Sequence, residues 1–206
     1  MAFLLARFGG KHEWHVADRK RDLLSDLRGD ILEIGPGTGV NLRYYANGIH
    51  WIGIEPNPFM HPYLRQEAKR VGLKIELLGG AAERLAVGDE SVDAVVSTLV
   101  LCSVEDVRAS LKEIQRVLRP GGRFVFLEHV AAPFGTFLRR LQRTVRPVTR
   151  LLAGGCCPDR ETWKVLMGAG FGSLEYQTFR VPIPITAPHI AGVAVKRSTT
   201  AQTPNG

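Results

Sequence analysis

The chain has 206 residues, of which 45% are hydrophobic and 23% charged, and it carries a net charge of +7 with a pI near 9.7. This length predicts one domain with enough chain to bury a substantial core. The composition is typical of a globular protein. The basic charge favours anionic partners such as nucleic acid, a phospholipid surface or acidic substrates, without choosing among them.

The cysteines and the apolar runs indicate the compartment. The three cysteines, Cys102, Cys156 and Cys157, are too few for a disulfide framework, which indicates a reducing environment. No C-x-x-C pair is present, so we predict no metal site. No apolar run reaches the roughly 18 residues of a membrane span, and the first one is too short for a signal peptide. We therefore predict a cytoplasmic protein.

Short apolar runs alternate with longer periodic segments along the chain. We predict five strands at residues 30–35, 50–55, 74–80, 92–98 and 123–130, and two more near 174–181 and 189–196. Helices are predicted at residues 16–27, 39–46, 58–72 and 104–118. The last of these has apolar residues at three- and four-residue steps, a start capped by Ser103 and Asp106, and an end at Pro120.

This alternation predicts an α/β fold with a doubly wound, seven-stranded, mainly parallel sheet. In such sheets ligands bind at the carboxyl ends of the strands, near the switch in strand order. We interpret residues 1–206 as a single domain, with an N-terminal helical lid at 1–29, a core at 30–196 and a disordered tail at 197–206.

A glycine-rich turn, "DILEIGPGTGVNL" at residues 30–42, follows the first strand. The dinucleotide fingerprint requires a third glycine where Val40 stands, and a P-loop requires a Lys-Ser/Thr end that is absent here. A tight turn that binds no ligand is the simplest alternative.

Two carboxylates near this turn favour a ligand. Glu55 ends the second strand, where it can accept hydrogen bonds from both hydroxyls of a ribose. Glu33 lies on a strand that should be buried on both faces, and a cationic ligand or loop N–H groups would offset the cost of burying it. The glycine-rich loop itself contains no basic residue before Arg43 that could meet a phosphate. A positively charged nucleoside without phosphate, such as S-adenosylmethionine, fits these features.

Four segments, "LEIGPGTGVNL", "GIEPNP", "SVDAVVSTLVLCSV" and "RVLRPGGRFVFLEHV", resemble the class I S-adenosylmethionine-dependent methyltransferases in order and spacing. The resemblance implies a Rossmann-like methyltransferase fold and S-adenosylmethionine as cofactor. Within that superfamily, "TLVLCSV", "EHV", "ETWKVLMGAGF" and "PHIAGVAVK" are most similar to the methyltransferase-like alkyl-thiol S-methyltransferases.

The resemblance also implies roles for matching positions. The glycines would surround the methionine part of the cofactor, and Glu55 would bind its ribose. Ala82 and Glu83 would lie beside the adenine. Thr98 and Leu99 would line the space around the methyl group. Many members carry an aspartate where Ala81 stands, so backbone groups would meet the adenine here. The predicted cofactor-binding residues are Glu33, Gly35, Gly37, Thr38, Gly39, Glu55, Pro56, Ala82, Glu83, Thr98 and Leu99.

His129 is the predicted catalytic residue because it ends the fifth strand, on the same rim as the cofactor, and an imidazole can accept a proton near neutral pH. A structural histidine is the alternative. We interpret Cys102 as a small buried side chain, and Cys156 and Cys157 as parts of a loop. Residues 12–15, "HEWH", would belong to a lid or to a solvated surface.

Residues 134–152, "FGTFLRRLQRTVRPVTRLL", combine apolar residues at helical spacing with five arginines and no acid. Such a stretch either contacts an anionic membrane peripherally or packs its apolar side over the active site.

We therefore predict methyl transfer to a small, lipophilic acceptor, first of all a thiol. A phospholipid or quinone acceptor is the alternative within the enzyme class. A non-enzymatic cofactor-binding or nucleic-acid-binding module is the alternative outside it. No aromatic-interleaved basic surface or recognition-helix signature is present, so we predict no specific nucleic-acid partner.

Overall fold

The computed structural model describes residues 2–198, with the side chains of residues 13–198. The strands are β1 (Asp30–Ile34), β2 (His50–Ile54), β3 (Ile75–Leu78), β4 (Val92–Thr98), β5 (Leu118–His129), β6 (Ser173–Arg180) and β7 (Pro188–Val195). The helices are α1 (Ala2–Leu24), α2 (His61–Val71), α3 (Val107–Val117), α4 (Phe137–Leu152) and α5 (Thr162–Met167).

The seven strands form one sheet in the order β3-β2-β1-β4-β5-β7-β6. β7 runs antiparallel to both β5 and β6, and the other neighbours are parallel. The strand order switches between β1 and β4, so the carboxyl ends of these two strands flank the place where such folds bind ligands. The predicted doubly wound, mainly parallel sheet is confirmed.

Two apolar layers cover the two faces of the sheet. Leu32 of β1 belongs to the layer that includes Leu111 of α3, whereas its neighbour Ile31 belongs to the layer that includes Leu64 of α2. Successive side chains of a strand point to opposite faces, so one strand supplies both layers. This explains why the strands have near-continuous apolar runs rather than alternating ones.

Several predicted helix boundaries were wrong. The helix predicted at 39–46 is only a short 3-10 helix, Leu42–Tyr44, because the chain becomes extended at Tyr45. α3 begins at Val107 rather than at 104, since the Asp106 carboxylate itself accepts from the N–H groups of Arg108 and Ala109.

Three further boundaries differ from the prediction. α2 begins at His61, so Pro62 lies in its first turn, where a missing N–H costs nothing, and does not bend the helix. β5 begins at Leu118 rather than at 123 and includes Pro120, which was expected only to end the preceding helix. α1 extends from Ala2 to Leu24, whereas the sequence predicted a helix only at 16–27.

The N-terminal helix is anchored to the body through Glu13. Its carboxylate accepts from the Tyr44 hydroxyl, in the segment after β1, at 2.8 Å, and also from Lys20 Nζ of the same helix at 2.6 Å. Trp14 beside it is 79% exposed, and the side chain of His12 lies outside the described residues. Its function as a lid stays a prediction. The predicted tail at 197–206 falls almost entirely outside the described residues.

Candidate active site

A cavity of about 490 Å³ opens at the carboxyl ends of β1 and β2. Five predicted cofactor-binding residues from separate segments line it, namely Gly35, Glu55, Pro56, Ala82 and Glu83. The fold therefore assembles five of the eleven predicted residues around one space large enough for a small ligand. The other six do not line it, namely Glu33, Gly37, Thr38, Gly39, Thr98 and Leu99.

The three glycines of the loop are required for different reasons. All have positive φ: +58° at Gly35, +57° at Gly37 and +84° at Gly39. A Cβ at Gly35 would lie 2.7 Å from Val100 Cγ2, and one at Gly39 would lie 2.6 Å from Leu64 Cδ1. A Cβ at Gly37 would meet nothing within 4 Å. The backbone at Gly37 therefore borders open space, as a loop that wraps a ligand requires.

Glu55 connects the glycine loop to β2. Its carboxylate is only 7% exposed and accepts from the N–H groups of Gly37 and Asn57, each at 2.8 Å. Each carboxylate oxygen can accept a second hydrogen bond, so two ribose hydroxyls can still be bound. The two protein bonds fix the carboxylate in place before a ligand arrives.

The sequence suggested that loop N–H groups bind Glu33. In the structure its hydrogen-bond donors are side chains. Asn41 Nδ2 and the Tyr45 hydroxyl each donate to it at 2.7 Å, and Trp51 Nε1 donates at 3.2 Å. The side chain is 2% exposed, and burial raises the pKa of its carboxyl above the usual range despite these donors. The three donors thus offset part of the cost of burial within the protein.

Asn41 links this network to the end of β4. Its Nδ2 also donates to Thr98 Oγ1 at 3.0 Å, while its Oδ1 is buried and has no partner among the described residues. Leu99 follows with φ +59°, which is uncommon for a residue with a branched side chain. An unpaired buried acceptor beside strained backbone is the arrangement expected where an amino group of a ligand is bound.

Glu83 and Thr38 have simpler surroundings. Glu83 accepts from the N–H groups of Glu105 and Asp106 at 2.8 and 3.2 Å, and so holds the start of α3 against the cavity. Ala82 beside it is buried, and Thr38 is half-buried in the glycine loop. Contact of these residues with a cofactor stays a prediction.

The loop after β4 is fixed by two residues that sequence reasoning missed. Glu128 of β5 is fully buried and accepts from Ser97 Oγ at 2.7 Å and from the N–H groups of Val100 and Leu101. Burial raises the pKa of this carboxyl to about 7. Arg160 donates to the carbonyl of Leu101 at 2.7 Å. The sequence did contain a signal for Glu128, since a carboxylate in an apolar strand, one residue before His129, is unusual.

His129 lies in a cluster with two thiols. It is 5% exposed, and its Nε2 lies 3.2 Å from Cys156 Sγ. The ligand atoms of Cys102, His129 and Cys156 all lie within 4.8 Å of one another. The sequence prediction that Cys102 is buried is confirmed, but the prediction that Cys156 only shapes a loop missed this cluster.

The cluster shifts the pKa values of its members. Hydrogen bonding from Cys156 holds the pKa of Cys102 well below its usual range, and the same bond together with burial raises the pKa of Cys156. Burial alone would lower the pKa of His129, but the negative charge of the Cys102 thiolate and its hydrogen bond outweigh burial and raise it. The cluster therefore couples proton binding by its two thiols to proton binding by the imidazole.

Comparison with known proteins identifies the family of the chain. A family model for the methyltransferase domain matches residues 32–126. Thiol S-methyltransferase TMT1A of Homo sapiens is 40% identical over 207 residues, covering 94% of this chain and 85% of that protein. Thiol S-methyltransferase TMT1B of Homo sapiens is 36% identical over 209 residues, with the same coverage of both chains.

The chain belongs to the S-adenosylmethionine-dependent methyltransferases. It is an enzyme of this family, and S-adenosylmethionine is its cofactor. The solved structure of the YcgJ protein from Bacillus subtilis has a TM-score of 0.71 and 19% identity, covering 89% of this chain and 98% of that one, and shares the fold.

The residues of this methyltransferase fit the cofactor. The open space at Gly37 leaves room along the backbone, and the fixed carboxylate of Glu55 suits two hydroxyls. The unpaired Oδ1 of Asn41 suits an ammonium group. Asn41 was not among the residues predicted from the sequence, and it lies only two residues beyond Gly39.

We expect Gly37→Val to weaken binding of S-adenosylmethionine at least ~100-fold, equivalent to about 3 kcal/mol. The valine would fill the space that the cofactor needs, and it would strain a backbone with φ +57°. Gly48→Val is the matched control, because Gly48 has φ +83° and open space around it but lies just before the amino end of β2, away from the carboxyl ends of the strands. Calorimetric titration checks both, and equal affinity of the Gly37 variant and wild type would show that the loop is only a turn.

Proposed function

We propose that this methyltransferase transfers the methyl group of S-adenosylmethionine to a small, lipophilic thiol. The observation that carries the proposal is the similarity, over nearly the whole chain, to proteins named thiol S-methyltransferases. The imidazole–thiol cluster near the cavity supports it, since it is a place where a thiol proton can be lost.

The reaction asks little of the protein beyond placement. The cofactor supplies a methyl group activated by a sulfonium. The acceptor sulfur forms a bond to that carbon as the carbon–sulfonium bond breaks, and the proton of the thiol is lost beforehand. A free thiol has a pKa of about 8.5, so a partial lowering of that pKa produces the nucleophile. Positioning and exclusion of water supply the rest.

The chain's own residues divide this task. We assign the glycine loop and Glu55 to the sugar and methionine parts, Ala82 and Glu83 to the adenine, and Thr98 with Leu99 to the methyl end. We assign the loss of the acceptor's proton to His129 and its cluster, because the imidazole ends β5 next to the loop that follows β4.

A screen of acceptors tests the proposal. Methyl transfer to alkyl thiols, phenols, amines, quinols and phospholipid head groups is measured with labelled S-adenosylmethionine. We expect turnover with small alkyl thiols, at a rate that rises with pH through the ionisation of the thiol. Turnover on an amine, a phenol or a quinol with none on any thiol would contradict the thiol assignment.

We expect His129→Ala to lower the rate most at pH values below the thiol pKa, about 8.5, and less above it. Below that pH the acceptor must lose its proton with help from the protein, whereas above it the thiolate is already present. His50→Ala is the control, since His50 is 58% exposed at the opposite end of the sheet. The methylation rates of both variants and wild type are measured from pH 6 to pH 10. An equal fractional loss of rate at all pH values would make His129 a packing residue.

We also propose that residues 134–152 contact an anionic membrane surface. The alternative of a helix that simply packs over the site does not account for its exposure, because Phe134 is 91%, Phe137 76% and Leu151 79% exposed. α4 is held to the body by the buried Gln142, which donates to the carbonyl of Ile185 at 2.9 Å. None of the helices among residues 2–198 is long and apolar enough to cross a bilayer.

We expect co-sedimentation with anionic vesicles that weakens with salt. Each exposed arginine near an anionic surface contributes about 1 kcal/mol, and salt screens that attraction. Arg143→Glu with Arg150→Glu should abolish it, whereas Arg65→Glu with Arg108→Glu, an equal charge change at exposed sites elsewhere, should leave most of it. Equal partition into neutral and anionic vesicles, or none at low salt, would contradict the proposal.

A further inference from the structure

Cys102, His129 and Cys156 bring three metal-binding atoms within 4.8 Å of one another. They come from three separate segments: the loop after β4, the end of β5 and the loop after α4. Cys102 and His129 are buried, and Cys156 is half-buried. No other such group is found among the described residues.

The backbone around the cluster is fixed independently of the three side chains. Cys157 N donates to the carbonyl of Cys102 at 2.9 Å, and so joins the loop after β4 to the loop after α4. Thr149 Oγ1 donates to the carbonyl of Cys156 at 2.9 Å. Gly155 has φ +89° and approaches Ser103 so closely that a Cβ would lie 2.8 Å from its carbonyl oxygen. The donors are thus held in place in the absence of any ion.

Two thiols and an imidazole are a donor set that suits zinc. Zn–S bonds of about 2.3 Å and Zn–N bonds of about 2.0–2.1 Å place tetrahedral ligand atoms roughly 3.5–3.8 Å apart. His129 Nε2 lies 3.2 Å from Cys156 Sγ, and no pair in the cluster exceeds 4.8 Å, so shifts of about 1 Å form the tetrahedral set. His129 Nδ1 is buried without a hydrogen-bond partner among the described residues, and a proton there leaves the Nε2 lone pair for a metal.

The cluster lies beside the cofactor cavity. Ser103 Oγ is 3.4 Å from Cys102 Sγ, and Ser103 lines the cavity together with Gly154. Three protein ligands leave one position of a tetrahedral zinc free, which is the pattern of catalytic rather than structural zinc sites. A small molecule in the cavity can approach that position past Ser103.

We propose that Cys102, His129 and Cys156 bind one zinc ion, and that the sulfur of the acceptor thiol is its fourth ligand. This inference rests on the proposed function. The Zn–S bond forms as the S–H bond of the acceptor breaks and its proton passes to solvent, with no change in oxidation state. The two cysteine thiols release their protons in the same way when the metal binds. His129 then acts as a zinc ligand, and the metal produces the thiolate that attacks the methyl carbon.

Metal content tests the site directly. Purified full-length protein is stripped with a chelator, dialysed against zinc chloride and analysed by mass spectrometry. We expect one zinc per chain, and at least ~10-fold weaker zinc binding for Cys102→Ser and for Cys156→Ser. Cys157→Ser is the matched control, because Cys157 is an adjacent buried thiol outside the cluster. No zinc in wild type, or an equal loss in the Cys157 variant, would overturn the site.

Cobalt in place of zinc tests the open position. Its thiolate charge-transfer absorption should appear with wild type and Cys157→Ser, and should change when a small alkyl thiol is added. An absorption spectrum that does not change when the thiol is added would overturn the role of the acceptor as a ligand. Zinc removal should lower thiol methylation at least ~10-fold and leave cofactor binding unchanged.

The two proposals fail in distinguishable ways. Thiol methylation that is indifferent to zinc removal overturns the metal proposal and leaves the proposed function standing. A thiol-sensitive cobalt site in a protein that methylates no thiol supports the metal site and overturns the proposed function.

Discussion

Glu55→Ala is expected to weaken S-adenosylmethionine binding roughly 30- to 700-fold, which corresponds to about 2–4 kcal/mol. The carboxylate is fixed by the N–H groups of Gly37 and Asn57 at 2.8 Å, and it retains acceptor capacity for two hydroxyls. Removing it would delete the two charge-assisted hydrogen bonds that we assign to the ribose hydroxyls, and would also loosen the glycine loop. Calorimetric titration of wild type and variant measures the loss.

The control for this experiment is Glu76→Ala. This substitution makes the same change of charge and volume on β3. The Glu76 side chain is 51% exposed and lies outside the cavity lining. Both variants should keep a cooperative melting transition, because the N–H groups released by Glu55 can be hydrated. A folded Glu55 variant with wild-type affinity would remove the assignment of this carboxylate to the ribose.

Glu33→Ala is expected to destabilise the fold by about 3–5 kcal/mol, with a fall in melting temperature on the order of 10 °C. Three donors, from Asn41, Tyr45 and Trp51, lose their buried acceptor, and the truncation leaves a cavity. Thermal and chemical unfolding followed by circular dichroism measure the effect.

Glu33→Gln separates this network from a direct contact with the cofactor. The glutamine keeps one acceptor oxygen and the shape of the side chain, so most of the stability should return. If the network is the main role of Glu33, cofactor affinity of the folded glutamine variant stays near wild type. A variant with wild-type stability and lost cofactor binding would instead support the ligand contact predicted from the sequence.

The succession of strands along the chain and the glycine turn were predicted from the sequence alone, whereas the order of the strands within the sheet came from the structure. Buried parallel strands require near-continuous apolar runs, which can be recognised in a short stretch of sequence. The glycines at 35, 37 and 39 indicate a turn, because glycine readily adopts the positive φ that all three have. Glu55 could be proposed as a ribose ligand because it ends a predicted strand, and the carboxyl ends of parallel strands meet at one edge of the sheet. The shortened helix after the glycine loop could not be predicted, because Tyr45 is drawn into the network around Glu33.

Only the tertiary structure decided the partners of the buried polar groups. Glu33 appeared to need a ligand or loop N–H groups, and it found Asn41, Tyr45 and Trp51 instead. Cys102 follows β4 and His129 ends the neighbouring strand β5, so their proximity could be anticipated. Cys156 comes from the loop after α4, and its place beside them could not. Backbone periodicity is encoded in neighbouring residues and can be read locally. The pairing of buried side chains depends on where distant loops return to the sheet, and no local spacing records it.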